Sequence, residues 1–182
     1  MRWVGGGRGH RGGRRARRRG AAPRPIQPEA VVPAELRALR GARLRVIMAS
    51  GKSFDVALLA DAAPLTVLRV ARLAARGYYN GLSFHRVVPN FVIQGGSPGA
   101  NEYAGQPEFM RDELGHLSHE RGTLGISTRG RDTGDAQLFI NLQDNPRLDY
   151  DYTVWGRVVS GMDVVDAVAE GEVIRRVEIR SR

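Results

Sequence analysis

Eight short apolar-rich runs, each four to seven residues long, set the strongest limit on what this chain can fold into. They are Ala42–Met48, Ser53–Leu59, Phe84–Val88, Phe91–Gln94, Gly122–Thr128, Gln137–Leu142, Thr153–Val159 and Val173–Ile179. Runs of this length, bounded by Gly, Pro, Asn and Asp, are the signature of strands. In the second, Phe54, Val56 and Leu58 alternate with Asp55 and Ala57, so one face is buried. With Ala-Ser-Gly-Lys between them, the first two runs predict a β-hairpin. Only two segments read as core helices. In APLTVLRVARLAARG, Pro64 suits the first turn and Gly77 the position past the end. Val67, Val70, Ala71 and Ala74 form an apolar stripe, with Thr66, Arg69, Arg72 and Arg76 off it. Gly161–Val168 predicts a second, shorter helix with Asp163 in its first turn. Two helices among eight mostly antiparallel strands predict a mainly β fold: a closed eight-stranded antiparallel β-barrel capped by two α-helices. Residues 95–121 lack periodicity and predict a long loop, of the kind that usually serves function.

The formal charge of +9 on the 182 residues points to nucleic acid until its location is read. Residues 1–24 hold nine arginines and no acid, so the other 158 carry 28 − 9 = 19 basic and 19 acidic side chains and are neutral. The Arg/Gly-rich arm 1–24 reads as disordered, because it has almost nothing to bury. It can contact nucleic acid through counterion release, act as a targeting stretch, or be a translated leader without a role. Residues 25–41 read as a proline-broken linker with a short helix at Ala34–Arg40, and 42–182 as the folded domain. Cysteine is absent, which excludes disulfides, thiolate metal sites and a cysteine nucleophile. No apolar run approaches the roughly 20 residues of a membrane span, and no apolar stretch follows the basic start as in a secretory signal. A cytoplasmic monomer is the expectation.

Three stretches are more specific: YYNGLSFHRVVPNFVIQGGSPG (78–99), RGTLGISTRGRDTGDAQLFINLQDNPRLD (121–149) and YTVWGRVVSGMDVVDAV (152–168). In order and spacing they resemble the cyclophilin-type peptidyl-prolyl cis-trans isomerases, over about Ala42–Ile179. The resemblance implies an eight-stranded barrel with two helices, and rotation about the bond preceding proline. It implies Arg86 as the catalytic arginine. Phe91, Val92 and Phe139 line the proline pocket, and Gln94 and Gln137 stand beside it. Ser127 and Thr128 form the segment whose backbone pairs with substrate, and Leu148 and Tyr152 the far wall. The chain departs from the pattern at several of these positions. Val92 replaces a common methionine, Thr128 the usual asparagine, and Tyr152 a frequent histidine. Leu138 replaces the first Phe of a pair, a change expected in the core. Arg147 stands where relatives carry tryptophan or phenylalanine, which bears on cyclosporin binding. The segment GANEYAGQPEF replaces a glycine-rich stretch.

The implied chemistry needs no nucleophile, metal or cofactor. Amide resonance sets a rotation barrier of roughly 18–20 kcal/mol. A catalyst must favour the twisted state, whose proline nitrogen is a better acceptor. Arg86 suits this as a permanent planar donor, with Gln94 holding it. His85 reads as structural. His116 and His119 read as plain loop histidines, since no acid or cysteine completes a metal set. Asp132 and Asp135 read as turn residues. Proline-containing peptides and folding proteins are the expected substrates. Two other functions fit the same sequence: a proline-peptide binding module with little turnover, and a nucleic-acid-associated protein acting through residues 1–24.

Overall fold

A computed structural model describes residues 25–26 and 31–181. The expectations for the arm 1–24, and most of those for the linker up to residue 30, lie outside the described residues. The chain runs α1 (Pro33–Leu39), β1 (Arg43–Met48), β2 (Ser53–Leu58), α2 (Pro64–Ala75), β3 (Phe84–Val88), β4 (Val92–Gly95), β5 (Thr123–Ile126), β6 (Leu138–Asn141), β7 (Val154–Ser160), α3 (Met162–Asp166) and β8 (Ile174–Arg180). A single-turn 3₁₀ helix, Pro146–Leu148, lies between β6 and β7. All eight expected strands are present; β3 keeps its expected bounds, and the other seven are shortened or shifted at their ends by one or two residues.

The β1–β2 hairpin forms as its alternation requires. Gly51 takes φ +86° at the turn, and the Met48 amide donates to the Lys52 carbonyl at 2.9 Å. Phe54, Val56 and Leu58 are buried, while Arg45 and Asp55 face each other across the strands. That pair is bidentate, at 2.8 and 2.9 Å. Inside the sheet, Trp155, Phe54, Phe84, Leu68, Leu124 and Ile140 form the centre of the core.

The strand order is β3-β4-β6-β5-β7-β2-β1-β8, all antiparallel. This corrects the closed barrel expected from sequence: the sheet curls through eight strands without a ladder between β3 and β8. The two ends approach only at their starts. The Ser83–Val173 bridge is isolated, flanked by Gly81 N–H to Ile174 O and Ile174 N–H to Leu82 O at 2.8 Å each. Past Phe84 the ends part, and the Val87 amide turns to the Glu170 carboxylate at 3.4 Å instead of to a strand. A half-barrel that leaves β3 without a second neighbouring strand among the described residues follows.

Two further readings change. Helix α2 is buried nearly all round, including Thr66 and Arg69, which were expected off the apolar stripe. The loop between β4 and β5 covers that face. Its Glu113 carboxylate accepts from the Leu65 and Thr66 amides and the Thr66 hydroxyl at 3.0, 2.7 and 2.7 Å. Ala63, at the N-cap, has no side-chain acceptor, so the distant glutamate satisfies these helix-end donors. Arg69 donates to Glu108 O at 3.0 Å from the same helix. The short helix foreseen at 34–40 is α1, a third α-helix among the described residues beside the two read as core helices, and it is docked rather than part of a free linker. It packs on α2 through buried Leu39 and through Glu35, whose carboxylate takes Arg72 Nε and Nη2 at 3.0 and 2.7 Å.

Candidate active site

Register across four strands builds one wall of the site. Arg86 on β3 stands opposite Gln94 on β4, Gln94 opposite Phe139 on β6, and Phe139 opposite Gly125 on β5. Directly opposed residues share a face. The residues between them, Ile93, Ile140 and Leu124, pack into the core, so the period of two turns Arg86, Gln94 and Phe139 outward. Phe139 lies on the opposite face from the core. Leu138 does face the core. At Gly125 an added Cβ would sit 2.2 Å from the Phe139 ring, so only glycine there lets the ring lie flat across β5.

The outward face carries a cavity of about 270 Å³. Arg86, Phe91, Val92, Gln94, Ser127, Thr128, Phe139, Leu148 and Tyr152 line it. Of the ten site residues expected from sequence, only Gln137 is missing from the lining. It is buried behind the wall, where Nε2 donates to the carbonyls of Glu102 and Ala104 at 3.2 and 3.0 Å. Its Oε1 receives Gln94 Nε2 at 3.4 Å, and Gln94 Oε1 receives Arg86 Nη1 at 3.4 Å. A relay of amides thus runs from the buried wall to the guanidinium.

Glu102 and Arg129 also line the cavity and were not singled out from sequence. Glu102 Oε1 lies 3.5 Å from Arg86 Nε. Arg129 pairs with the fully buried Asp135 at 2.8 Å and also donates to the Glu102 carbonyl. Asp135, read as a turn residue, is therefore a buried anchor for this corner. Nothing in the residue spacing joins Glu102 to Arg86. The departure at GANEYAGQPEF was the one available signal.

The aromatic wall has a second layer. Tyr152 meets the Phe139 ring edge-on, with centroids 5.6 Å apart at 88°. His119 stacks on Phe139 at 5.8 Å and 16°. It is no plain loop histidine: it is fully buried, with Nδ1 2.9 Å from Asp149 Oδ1. Burial opposes charge on Asp149, but the His119 amide, the Ser118 hydroxyl and the His119 ring together hold its carboxyl below the usual range. His85 lies outside the lining, and burial pushes its imidazole below the ordinary value, as a structural role allows. Among the described residues no group of three or more His, Asp or Glu is placed to hold a metal ion. No helix among them is long and apolar enough to cross a membrane.

The Arg147 guanidinium lies over the Phe91 ring, 4.3 Å from its centroid. Phe91 is also fixed from behind, since its carbonyl accepts from the Leu142 amide at 2.9 Å and from Asn145 Nδ2 at 3.1 Å.

Comparison with known proteins agrees with this geometry. The family model described as cyclophilin type peptidyl-prolyl cis-trans isomerase/CLD matches residues 43–181. Peptidyl-prolyl cis-trans isomerase B of Bacillus subtilis is 36% identical over 135 residues, which cover 73% of this chain and 94% of that protein. A peptidyl-prolyl cis-trans isomerase of Helicobacter pylori is 39% identical over 123 residues, covering 65% of this chain and 76% of that one. Among solved structures, a cyclophilin type peptidyl-prolyl cis-trans isomerase of Cryptosporidium parvum shares the fold with a TM-score of 0.70 at 24% identity, covering 77% of this chain and 98% of that one. With the family match spanning every strand of the sheet and every residue of the cavity lining, the chain belongs to the cyclophilin-type peptidyl-prolyl cis-trans isomerases.

Proposed function

We propose that the cavity beside Arg86 is where this isomerase grips an X–Pro segment of a folding protein and turns its peptide bond. The supporting observation is the meeting of one tethered guanidinium and an apolar notch in a single cavity. Phe91, Val92, Phe139 and Leu148 hold the pyrrolidine ring. Ser127 and Thr128 lie at the edge, where an extended peptide backbone can pair. The cis and trans forms of X–Pro are close in energy, yet their exchange takes tens to hundreds of seconds. No covalent bond is made or broken, so the whole task is to favour the twisted amide. Twisting ends conjugation and concentrates the lone pair on the proline nitrogen. Arg86 donates a hydrogen bond to that nitrogen, or to the preceding carbonyl. Gln94 fixes the guanidinium by accepting from Nη1, and Glu102 faces Nε. Nη2 has no partner among the described residues and remains for the substrate. Apolar walls exclude water, which stabilises the planar, charge-separated amide more than the twisted one.

A charge-assisted hydrogen bond contributes about 1.5–3 kcal/mol, or roughly one to two powers of ten in rate. Arg86→Ala therefore loses about 10- to 100-fold in kcat/KM in a proline-peptide isomerisation assay. Equal rates in variant and wild type would remove Arg86 from the mechanism. Tight peptide binding with negligible turnover in the wild type would instead favour a recognition module.

A further inference from the structure

Arg86 and Arg129 line the cavity, Arg131 follows Arg129 by two residues and Arg147 precedes the lining residue Leu148; three of these four arginines already have a carboxylate. Arg86 lies 3.5 Å from Glu102, Arg129 2.8 Å from Asp135, and Arg131 4.0 Å from Asp151. Arg147 is exposed and has no carboxylate partner among the described residues. It is held nonetheless. Its guanidinium covers the ring of Phe91, and it belongs to the 3₁₀ turn Pro146–Leu148. That turn begins at Asn145, a buried side chain whose Nδ2 donates to Phe91 O at 3.1 Å and to Asn141 Oδ1 at 2.8 Å. The Leu148 amide closes the turn on Asn145 O at 2.9 Å. One buried amide thus ties together the backbone that carries the cation and the backbone that carries its aromatic platform.

Stacking occupies only a face of a guanidinium. Its N–H donors point outward in the plane, in the fork that matches a carboxylate. We infer that Arg147 is a specificity-determining residue, which pairs with an acidic side chain of the substrate one or two residues from the proline held beside Phe91. This deepens the proposed function and rests on it. A cation fixed on a ring loses less side-chain freedom on pairing than a free one, so the contact selects among substrates although it is solvent-exposed. An exposed pair of this kind is weak. It acts on binding in ground state and transition state alike, so it moves KM and leaves kcat alone.

The test uses proline peptides of one sequence, blocked at both ends to remove terminal carboxylates. Glu or Gln is placed one or two residues before or after the proline. At the position that reaches Arg147, wild type prefers Glu over Gln by about two- to five-fold in kcat/KM, carried by KM. In roughly 1 M salt, where the Debye length is about 3 Å, the ratio falls toward one. Arg147→Gln brings the ratio to one at low salt. Arg147→Lys, which keeps the charge without the planar fork, leaves an intermediate ratio. A wild-type ratio of one at all four positions overturns the inference, as does a ratio that survives in Arg147→Gln. Should Arg147→Gln fold poorly, the salt dependence of the wild-type ratio decides alone. If wild type turns over none of these peptides, the proposed function fails. The affinities of the same peptides, measured by NMR titration, then still decide for or against the charge preference.

Discussion

Arg86 and Asp149 show how single side chains near the cavity are fixed by their surroundings. Arg86 is approached at Nε by Glu102 and at Nη1 by Gln94, which leaves one edge toward the cavity. Asp149 accepts from the His119 amide at 2.8 Å and the Ser118 hydroxyl at 2.7 Å, and its second contact with His119 orients the ring behind Phe139. The folded state lowers the Asp149 carboxyl pKa below its unfolded value, so its contribution to stability is complete above that unfolded value, near pH 4. It is lost as pH falls through the lower folded value. Asp149→Asn is expected to cost about 2 kcal/mol at pH 7, the worth of a charge-assisted hydrogen bond. In urea unfolding the gap from wild type narrows as pH is lowered below 4. A gap that stays constant down to pH 2 would deny the charge its role. The direct lining of the cavity was legible in the sequence through the family resemblance carried by FHRVVPNFVIQGG and the QLF segment, and five of its expected members, Phe91, Ser127, Thr128, Leu148 and Tyr152, lie outside the strands. Glu102, Asp135 and His119 were not legible in their roles. Each arrives by way of the irregular chain between β4 and β6, and no periodicity says where such a path ends.

Among the elements, α2 shows how far a local reading extends. Its bounds and apolar stripe follow from Pro64, Gly77 and the 3.6-residue period. Its cap does not, because Glu113 comes from a loop far along the chain. The same loop explains why Thr66 and Arg69 are buried against a pattern that exposes them. The Glu113 amide also donates to the Thr153 hydroxyl at 2.8 Å, tying the loop to the residue just before β7. Glu113→Ala removes the acceptor for two helix amides and should lower stability by about 1–2 kcal/mol, as loss of a helix cap does. Thermal or urea unfolding measures this, and an unchanged midpoint would show that water replaces the carboxylate at no cost. The strands were legible for a different reason. Each is short and bounded by turn residues, and in β1 and β2 alternation assigns the faces, whereas β4, β5 and β6 are buried at every position. Closure of the sheet was not legible, since eight strands of this kind can seal or stop short. The outcome depends on where the chain leads after Phe84.

For the molecule as a whole, the reaction moves no proton, and no histidine among the described residues lines the cavity. Histidine is the side chain whose charge ordinarily changes between pH 5 and 8. A nearly flat profile of kcat/KM between about pH 6 and 8 is therefore expected. A steep limb in that range would require a titrating group in the mechanism. The part of the chain that matches the family starts at Arg43, yet the packed unit begins earlier. Leu39 sits against the core at 5% exposure, and Glu35 closes on Arg72 of α2. Anyone trimming this polypeptide to its recognisable portion would remove a docked helix whole. The shortened product would present a greasy scar where Leu39 had been and forfeit a carboxylate clamp. Its poorer solubility would then be the fault of the scissors rather than of the enzyme.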